Sequence, residues 1–216
     1  MNVTYGAKNQ VMYFSADGSP VATRRTVVSV DNCNQCHVAL SVHGSLRNQT
    51  EYCVLCHNPS NTDVLTRAIA QDPADKAAPP QGITFPLMVH RIHFGVNMIA
   101  DGGSYTVVGF NGSHNDFSTI RYAPMNPQGA AGDTRNCALC HVNDSEANLP
   151  VGLNEVVNPQ GWINPEGATA TACSGCHVGK DAASHFLANS TVLGESCTVC
   201  HQSGAAFDVD QVHAQY

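Results

Sequence analysis

Hydrophobic and polar positions along the chain form short periodic stretches separated by polar segments. Residues 11–30 combine Val, Tyr, Phe and Thr around the turn sequence Asp-Gly-Ser-Pro at 17–20, which predicts two short strands. Residues 62–70 and 83–99 have the pattern of helices. The remaining long segments are rich in Gly, Asn, Ser and Pro and predict irregular loops. The two longest of these loops are 101–135 and 142–170.

Composition argues against an ordinary hydrophobic core. Apolar residues make up 43% of the 216 residues, but 18 Gly and 11 Pro interrupt them. A domain of this length ordinarily buries a continuous apolar core, which such short segments do not supply. We therefore expect one domain whose core is completed by something other than its own side chains.

All ten cysteines occur in five copies of the motif Cys-x-x-Cys-His. From the first to the fifth motif, these residues are Cys33, Cys36 and His37; Cys53, Cys56 and His57; Cys137, Cys140 and His141; Cys173, Cys176 and His177; and Cys197, Cys200 and His201. Two thiols at this spacing add to the two vinyl groups of a porphyrin, and the adjacent His binds its iron. The sequence therefore predicts five covalently bound haem c groups.

Other uses of Cys-x-x-Cys account for less of the pattern. Structural zinc sites do not require a His directly after every second Cys. A thioredoxin-like redox motif needs one Cys-x-x-Cys in a βαβ setting. A disulfide framework would leave the five following histidines unexplained.

Five haems in one short chain determine the fold class that we expect. It is a mostly irregular and α-helical multihaem cytochrome, with short helices and loops wrapped around five packed haems. A small N-terminal strand or β-hairpin lead-in, residues 1–30, precedes the haem domain, residues 31–216. Because cofactor binding and folding are linked, the haem-free chain should be largely unfolded.

The formal net charge of -7 disfavours a nucleic-acid role, since no basic stripe exists to neutralise phosphates. An acidic surface steers a basic partner or serves solubility. No run of 18 apolar residues predicts a transmembrane segment, and the N-terminus lacks the features of a signal peptide. Because c-type haem is attached outside the cytoplasm, we expect an exported protein and interpret the chain as part of a longer polypeptide.

Histidine is abundant enough to supply a second ligand for every iron. Of 11 histidines, five belong to the motifs. The other six are His43, His90, His93, His114, His185 and His213. For each of these six histidines taken alone, an ordinary surface position is the alternative to iron binding. His90 and His93 stand at i and i+3 of a predicted helix, so they point to the same side and suit two neighbouring haems. Met88 and Met98 are alternative ligands, although packing is their ordinary use.

Two protein ligands per iron favour electron transfer over catalysis, because such an iron does not readily bind substrate. His/His ligation also gives lower potentials than His/Met ligation. Arg24 and Arg25 are candidates for pairing with haem propionates, or they belong to a solvated strand edge.

Several segments resemble a pentahaem domain of the outer-membrane multihaem cytochromes of metal-reducing bacteria, the MtrC/OmcA type. The resemblance spans about residues 22–215. It rests on Arg-Arg-Thr-Val-Val at 24–28, on the first two motifs with His43 and Gly44 between them, on Phe-Pro-Leu-Met-Val-His-Arg-Ile-His-Phe-Gly at 85–95, and on His-Asn-Asp-Phe-Ser at 114–118 with Tyr-Ala-Pro at 122–124.

The resemblance implies a cell-surface location facing the exterior, redox partner proteins at the outer membrane, and electron transfer to extracellular metal oxides, chelated metals or flavins. It also implies the distal ligand set, with His114 as the spare histidine. That set is His43, His90, His93, His185 and His213. Family members carry two pentahaem domains with β-domains, so this chain looks like one half, the C-terminal one by its end soon after His213.

An electron-transfer protein that is not an enzyme is therefore our first hypothesis. A multihaem reductase of small oxyanions is the second, and it requires one open iron. All five motifs end in His, so the sequence does not favour an open iron, and the second hypothesis is less favoured than the first. A periplasmic shuttle cytochrome is the third, differing only in partner and location.

Overall fold

The structure is a computed structural model and describes residues 6–21, 23–59, 61–123, 132–150 and 167–214. The helices of the described chain are α1 (Val30–His37), α2 (Thr50–Cys56), α3 (Val64–Arg67), α4 (Pro73–Ala77), α5 (Phe85–Phe94), α6 (Val96–Ala100), α7 (Ala168–Cys173), α8 (Lys180–Ala188), α9 (Thr198–His201) and α10 (Val209–Val212). The strands are β1 (Thr106–Val108), β2 (His114–Asp116), β3 (Ser190–Thr191) and β4 (Gly194–Glu195). Short 3-10 helices span Phe110–Gly112 and Cys137–Leu139.

The chain divides into two compact units. Unit 1 comprises Met1–Cys56, Asn136–Pro159 and Thr198–Tyr216, and unit 2 comprises His57–Arg135 and Gln160–Cys197. Each unit is therefore assembled from segments that are distant along the chain. The predicted division into a lead-in, 1–30, and a haem domain, 31–216, stays a prediction.

The predicted N-terminal β-hairpin is wrong for the described residues. Residues 6–21 contain no strand. The segment 23–29 pairs instead with the third motif, through a β-bridge between Val28 and His141 and a bond from the amide of Val142 to the carbonyl of Val27 (3.0 Å). Strand propensity indicates extended backbone but does not select its partner, and here the partner is distant in sequence.

The predicted helices are confirmed, although they are shorter than expected. α3 lies within 62–70 and α5 within 83–99, and α6 ends one residue beyond that range, at Ala100. α5 and α6 are separated by Gly95, which has φ +46°. A Cβ at this position would lie 2.1 Å from the carbonyl oxygen of Ile120. Both the backbone angle and the contact require glycine there.

Two short antiparallel hairpins, β1–β2 and β3–β4, were not predicted. In the first, Thr106 pairs with Asp116 and Val108 pairs with His114, inside the predicted loop 101–135. The pattern missed these strands because they are two or three residues long and partly polar.

A buried ion pair connects the elements of unit 2. Asp63 and Arg67 are 2% and 4% exposed, and their charged atoms lie 2.7 Å apart. Arg67 also donates to the carbonyls of Asp75 (2.8 Å) and Thr106 (2.7 Å). Asp63 accepts from the amide of Val108 (2.9 Å) as well. The pair therefore ties α3 to α4 and β1.

We predict that Asp63→Asn destabilises unit 2 by about 3–5 kcal/mol, because it leaves Arg67 buried without a counter-charge. Burial raises the pKa of Asp63, but hydrogen bonds from Arg67 and two backbone amides outweigh it and hold this pKa below its ordinary value. The stabilisation is thus present above the ordinary carboxyl pKa of about 4 and is lost as the pH falls through the lowered value. Denaturant unfolding at neutral and acid pH measures both effects.

The matched control is Asp133→Asn. Asp133 and Arg135 also lie 2.7 Å apart, but their side chains are 38% and 53% exposed. An exposed pair contributes less than about 1 kcal/mol. Equal losses in the two variants would contradict the structural role of the buried pair.

Candidate cofactor-binding site

The cysteine motifs lie on or beside short helices. The first occupies α1, the second α2, the third the 3-10 helix Cys137–Leu139, the fourth the end of α7 and the fifth the region of α9. On a helix, residues three apart point to the same side, so the two thiols of a motif face one partner. No disulfide joins any of these ten cysteines in the structure.

In unit 1, the first motif lies beside the second and the third. The side-chain amide of Asn32, on α1, donates to the carbonyl of His141 (3.2 Å). Burial raises the pKa of the Cys53 and Cys140 thiols, and the neighbouring Cys33 raises both further. One cysteine of the first motif is thus close enough to act electrostatically on both other motifs.

In unit 2, the fourth motif lies beside the start of the fifth. Glu195 accepts hydrogen bonds from the amides of Thr169 (2.9 Å) and Ala170 (2.7 Å) and so caps α7. Burial raises the pKa of Cys173 to about 12, and Cys197 and Glu195 add to this rise. Burial likewise raises the pKa of Cys197 to about 11. Sequence reasoning missed this role of Glu195, since its partners lie about 25 residues away in the chain.

The described motif cysteines resemble neither reactive thiols nor an assembled zinc site. Reactive cysteines have lowered pKa values, whereas every resolved pKa shift of a motif cysteine is upward. Structural zinc needs four Cys or His ligand atoms around one point. Within the described ranges, the one group of three or more potential ligand atoms within 4.8 Å of one another is Asp72, Asp75 and His114, which contains no motif residue.

Four histidines share one orientation of the imidazole ring: Nδ1 lies at hydrogen-bond distance from a backbone carbonyl oxygen. These pairs are His57 with Ile83 (2.8 Å), His93 with Val89 (2.8 Å), His201 with Phe207 (3.0 Å) and His213 with Val209 (2.9 Å). A carbonyl oxygen only accepts, so Nδ1 carries a proton, and the tautomer with the lone pair on Nε2 is the neutral form that fits this contact. Metal-binding histidines are held in the same way.

His141 reaches the same state through a hydroxyl. Its Nδ1 lies 3.0 Å from Oγ of Ser145, whose own proton is donated to the carbonyl of Val27 (2.7 Å). Ser145 must therefore accept from Nδ1. Burial lowers the pKa of His141, and the charge of Arg25 lowers it further, which favours the neutral ring with its lone pair on Nε2. The spacing of Ser145, four residues after His141, is the sequence signal for this contact.

The helix with two histidines, α5, contacts His57 at its start and the fourth motif along its side. At its start, the amide of Phe85 donates to the carbonyl of His57 (2.8 Å). Along its side, Gly175 of the fourth motif approaches so closely that a Cβ would lie 2.4 Å from Cβ of His90. His93 packs edge-on against Tyr122, with ring centroids 5.9 Å apart.

His114 has a different environment. It lies at the start of β2, its side chain is 50% exposed, and its Nδ1 is 2.7 Å from Oδ2 of Asp75. The hydrogen bond that this Nδ1–H donates to Asp75 is the main cause of the raised pKa of His114. A carboxylate can hold a ligand histidine as a carbonyl does, so this contact does not test the expectation that His114 is the spare histidine, which stays a prediction.

The remaining predicted ligands are placed by their elements. His43 follows the first motif with φ +52°, and His185 lies in the last turn of α8, where Asn189 donates to its carbonyl (2.8 Å). His37 ends α1, and His177 closes the fourth motif. The ligand roles of these four histidines stay predictions, as do those of His57, His90, His93, His141, His201 and His213.

Apolar side chains next to the motifs fit a large apolar cofactor. Val38, Leu55 and Val199 adjoin or interrupt the first, second and fifth motifs and are 85%, 59% and 74% exposed. A porphyrin that is bound through the neighbouring thiols would cover such groups, and their burial is favourable. Together with the oriented histidines, these residues fit haem c.

No helix in the described part of the chain has the length and apolarity needed to cross a membrane. Among curated proteins, a comparison of sequences finds no match.

A crystal structure of the outer membrane decaheme cytochrome OmcA is similar to this chain, with a TM-score of 0.51 and 25% sequence identity. The similarity covers 90% of this chain and 25% of that one, so the chain spans about a quarter of the OmcA structure. Residues 25–214 match the family model of the outer membrane cytochromes MtrC/MtrF-like, domains II/IV. The resemblance seen in the sequence is thereby confirmed: the chain belongs to the MtrC/MtrF-like family of outer membrane cytochromes and is a multihaem cytochrome domain of that family.

Proposed function

We propose that the chain conducts electrons through five haem c groups and passes them to extracellular acceptors: ferric minerals, chelated metals or flavins. Family membership supports the electron-transfer class. The observation that carries the finer proposal is the shared orientation of the histidines. In two motif histidines, His57 and His201, Nδ1–H donates to a backbone carbonyl. The same holds for two predicted distal histidines, His93 and His213. In all four, Nε2 would be the nitrogen that binds iron.

In this proposal, each motif would hold one haem through its two thiols and its histidine, and a second histidine would be the other protein ligand of the iron. The distal ligands are His43, His90, His93, His185 and His213. Haem supplies one-electron chemistry, since its iron changes between the ferric and ferrous states. The chain's part is to fix the five positions, to exclude substrate from the irons and to choose the potential through the ligands.

The location follows from the same family. We infer that the protein is exported and acts at the outer membrane facing the exterior, where it receives electrons from redox partner proteins. It would act without an enzyme's substrate site, because metals would be reduced by electron transfer at the surface.

The haem content is the first test. We predict five haems per chain by the pyridine haemochrome assay, and one fewer in the double variant Cys173→Ser/Cys176→Ser, which removes one pair of thiols. Denaturing electrophoresis with haem staining shows that the attachment is covalent. A count below five in the unsubstituted protein would contradict the cofactor set.

The second test concerns the axial ligands. Carbon monoxide added to the reduced protein should leave the haem bands unchanged, because both axial positions of every iron are filled. His93→Ala should open one of the five irons and make that haem bind carbon monoxide. The matched control is His114→Ala, which should leave all five irons closed. Carbon monoxide binding to the unsubstituted protein would favour the reductase alternative, with its one open iron.

The third test uses the close packing of Gly175 on His90. We predict that Gly175→Ala displaces His90, since a Cβ at this position would lie 2.4 Å from that of His90. One haem should then bind carbon monoxide. In the control, Gly179→Ala, the added methyl group has open space and an ordinary φ of -72°, so no haem should open. Identical spectra of the two variants would argue against His90 as a ligand.

A further inference from the structure

A cleft of about 770 Å³ lies in unit 1 beside the third motif. Residues 23–26 form one wall, and residues between 143 and 149 form another. Gln202 and Ser203, which follow the fifth motif, complete the lining. This volume is in the range of a site for a small organic group.

The two arginines of this cleft differ in their contacts. Nη2 of Arg25 donates to the carbonyls of Ser145 (2.8 Å) and Asn148. Arg24 has a buried Nη1 that finds no hydrogen-bond acceptor among the described residues. A guanidinium is always charged, and a buried N–H of such a group costs free energy unless an acceptor meets it. The cleft therefore suits an anion with oxygen acceptors.

The backbone places Arg24 next to one cofactor attachment site. The segment that carries it is bonded to the third motif, through the bridge of Val28 with His141 and a bond from the amide of Ser29 to the carbonyl of Cys140 (3.3 Å). Haem bound there carries two propionates, and a carboxylate matches the planar fork of a guanidinium.

We infer that Arg24 is the cation partner of a propionate of the haem that Cys137 and Cys140 anchor. This inference rests on the proposed haem binding. A positive charge beside a haem favours its reduced state, because reduction adds an electron. Arg24 therefore raises the potential of this haem above the value that its two axial ligands alone would set.

The test is a spectroelectrochemical titration of the haem-loaded protein and three variants. In Arg24→Gln, one of the five haem transitions should move to lower potential, with an about tenfold smaller equilibrium constant for reduction, or about 59 mV for one electron. Arg24→Lys keeps the charge but loses the fork, and should show a smaller shift. The control, Lys76→Gln, removes one positive charge from an exposed position on α4 and should leave all five haem potentials unchanged.

A crystal structure of the haem-loaded protein provides the second measurement, which does not depend on the folding of any variant. It should show Nη1 of Arg24 at hydrogen-bond distance from a propionate of the haem on Cys137 and Cys140. Unchanged potentials in Arg24→Gln with all five haems bound, or a contact of Arg24 with the fifth haem or a protein carboxylate, would overturn the inference. A haem count below five tests the proposed function separately.

Discussion

The scarcity of buried apolar side chains is the constraint on which the rest of this structure depends. Within the described residues, the buried hydrophobic side chains are Val54, Met98, Tyr105, Val108, Ala147 and Ala170. So small a core offsets little of the conformational entropy that a chain of this length loses on folding. Covalent haem supplies the missing apolar surface, and this explains why short helices carry the motifs and why apolar residues beside the motifs are exposed.

The second physical element is the way in which histidines are held. A ligand histidine must present one nitrogen and keep the ring from turning, and a backbone carbonyl does both because it accepts the proton of the other nitrogen. For His93, a proposed ligand in α5, the carbonyl of Val89 does this from within the same turn, while α5 itself is held by contacts with His57 and Gly175. Such rigid ligands suit electron transfer, in which the surroundings of the iron should change little between its two states.

Charge is used in two different ways. Asp63 and Arg67 satisfy one another and so join the elements of unit 2, a purely structural use. Arg24 in unit 1 is buried at Nη1 without such a partner among the described residues, next to a motif whose cofactor carries carboxylates. The contrast between a satisfied and an unsatisfied guanidinium separates a residue that supports the fold from one that suits a ligand.

By itself, the sequence determined the cofactor class, the family and the helices within 62–70 and 83–99, because each depends on residues that are close along the chain. Only the tertiary structure decided that residues 23–29 pair with the third motif, that Glu195 caps α7 and that His114 pairs with Asp75. The physical reason is that these contacts join residues distant along the chain. Local propensity describes the backbone of one segment, and the choice among its possible partners depends on packing and hydrogen bonding across the whole unit.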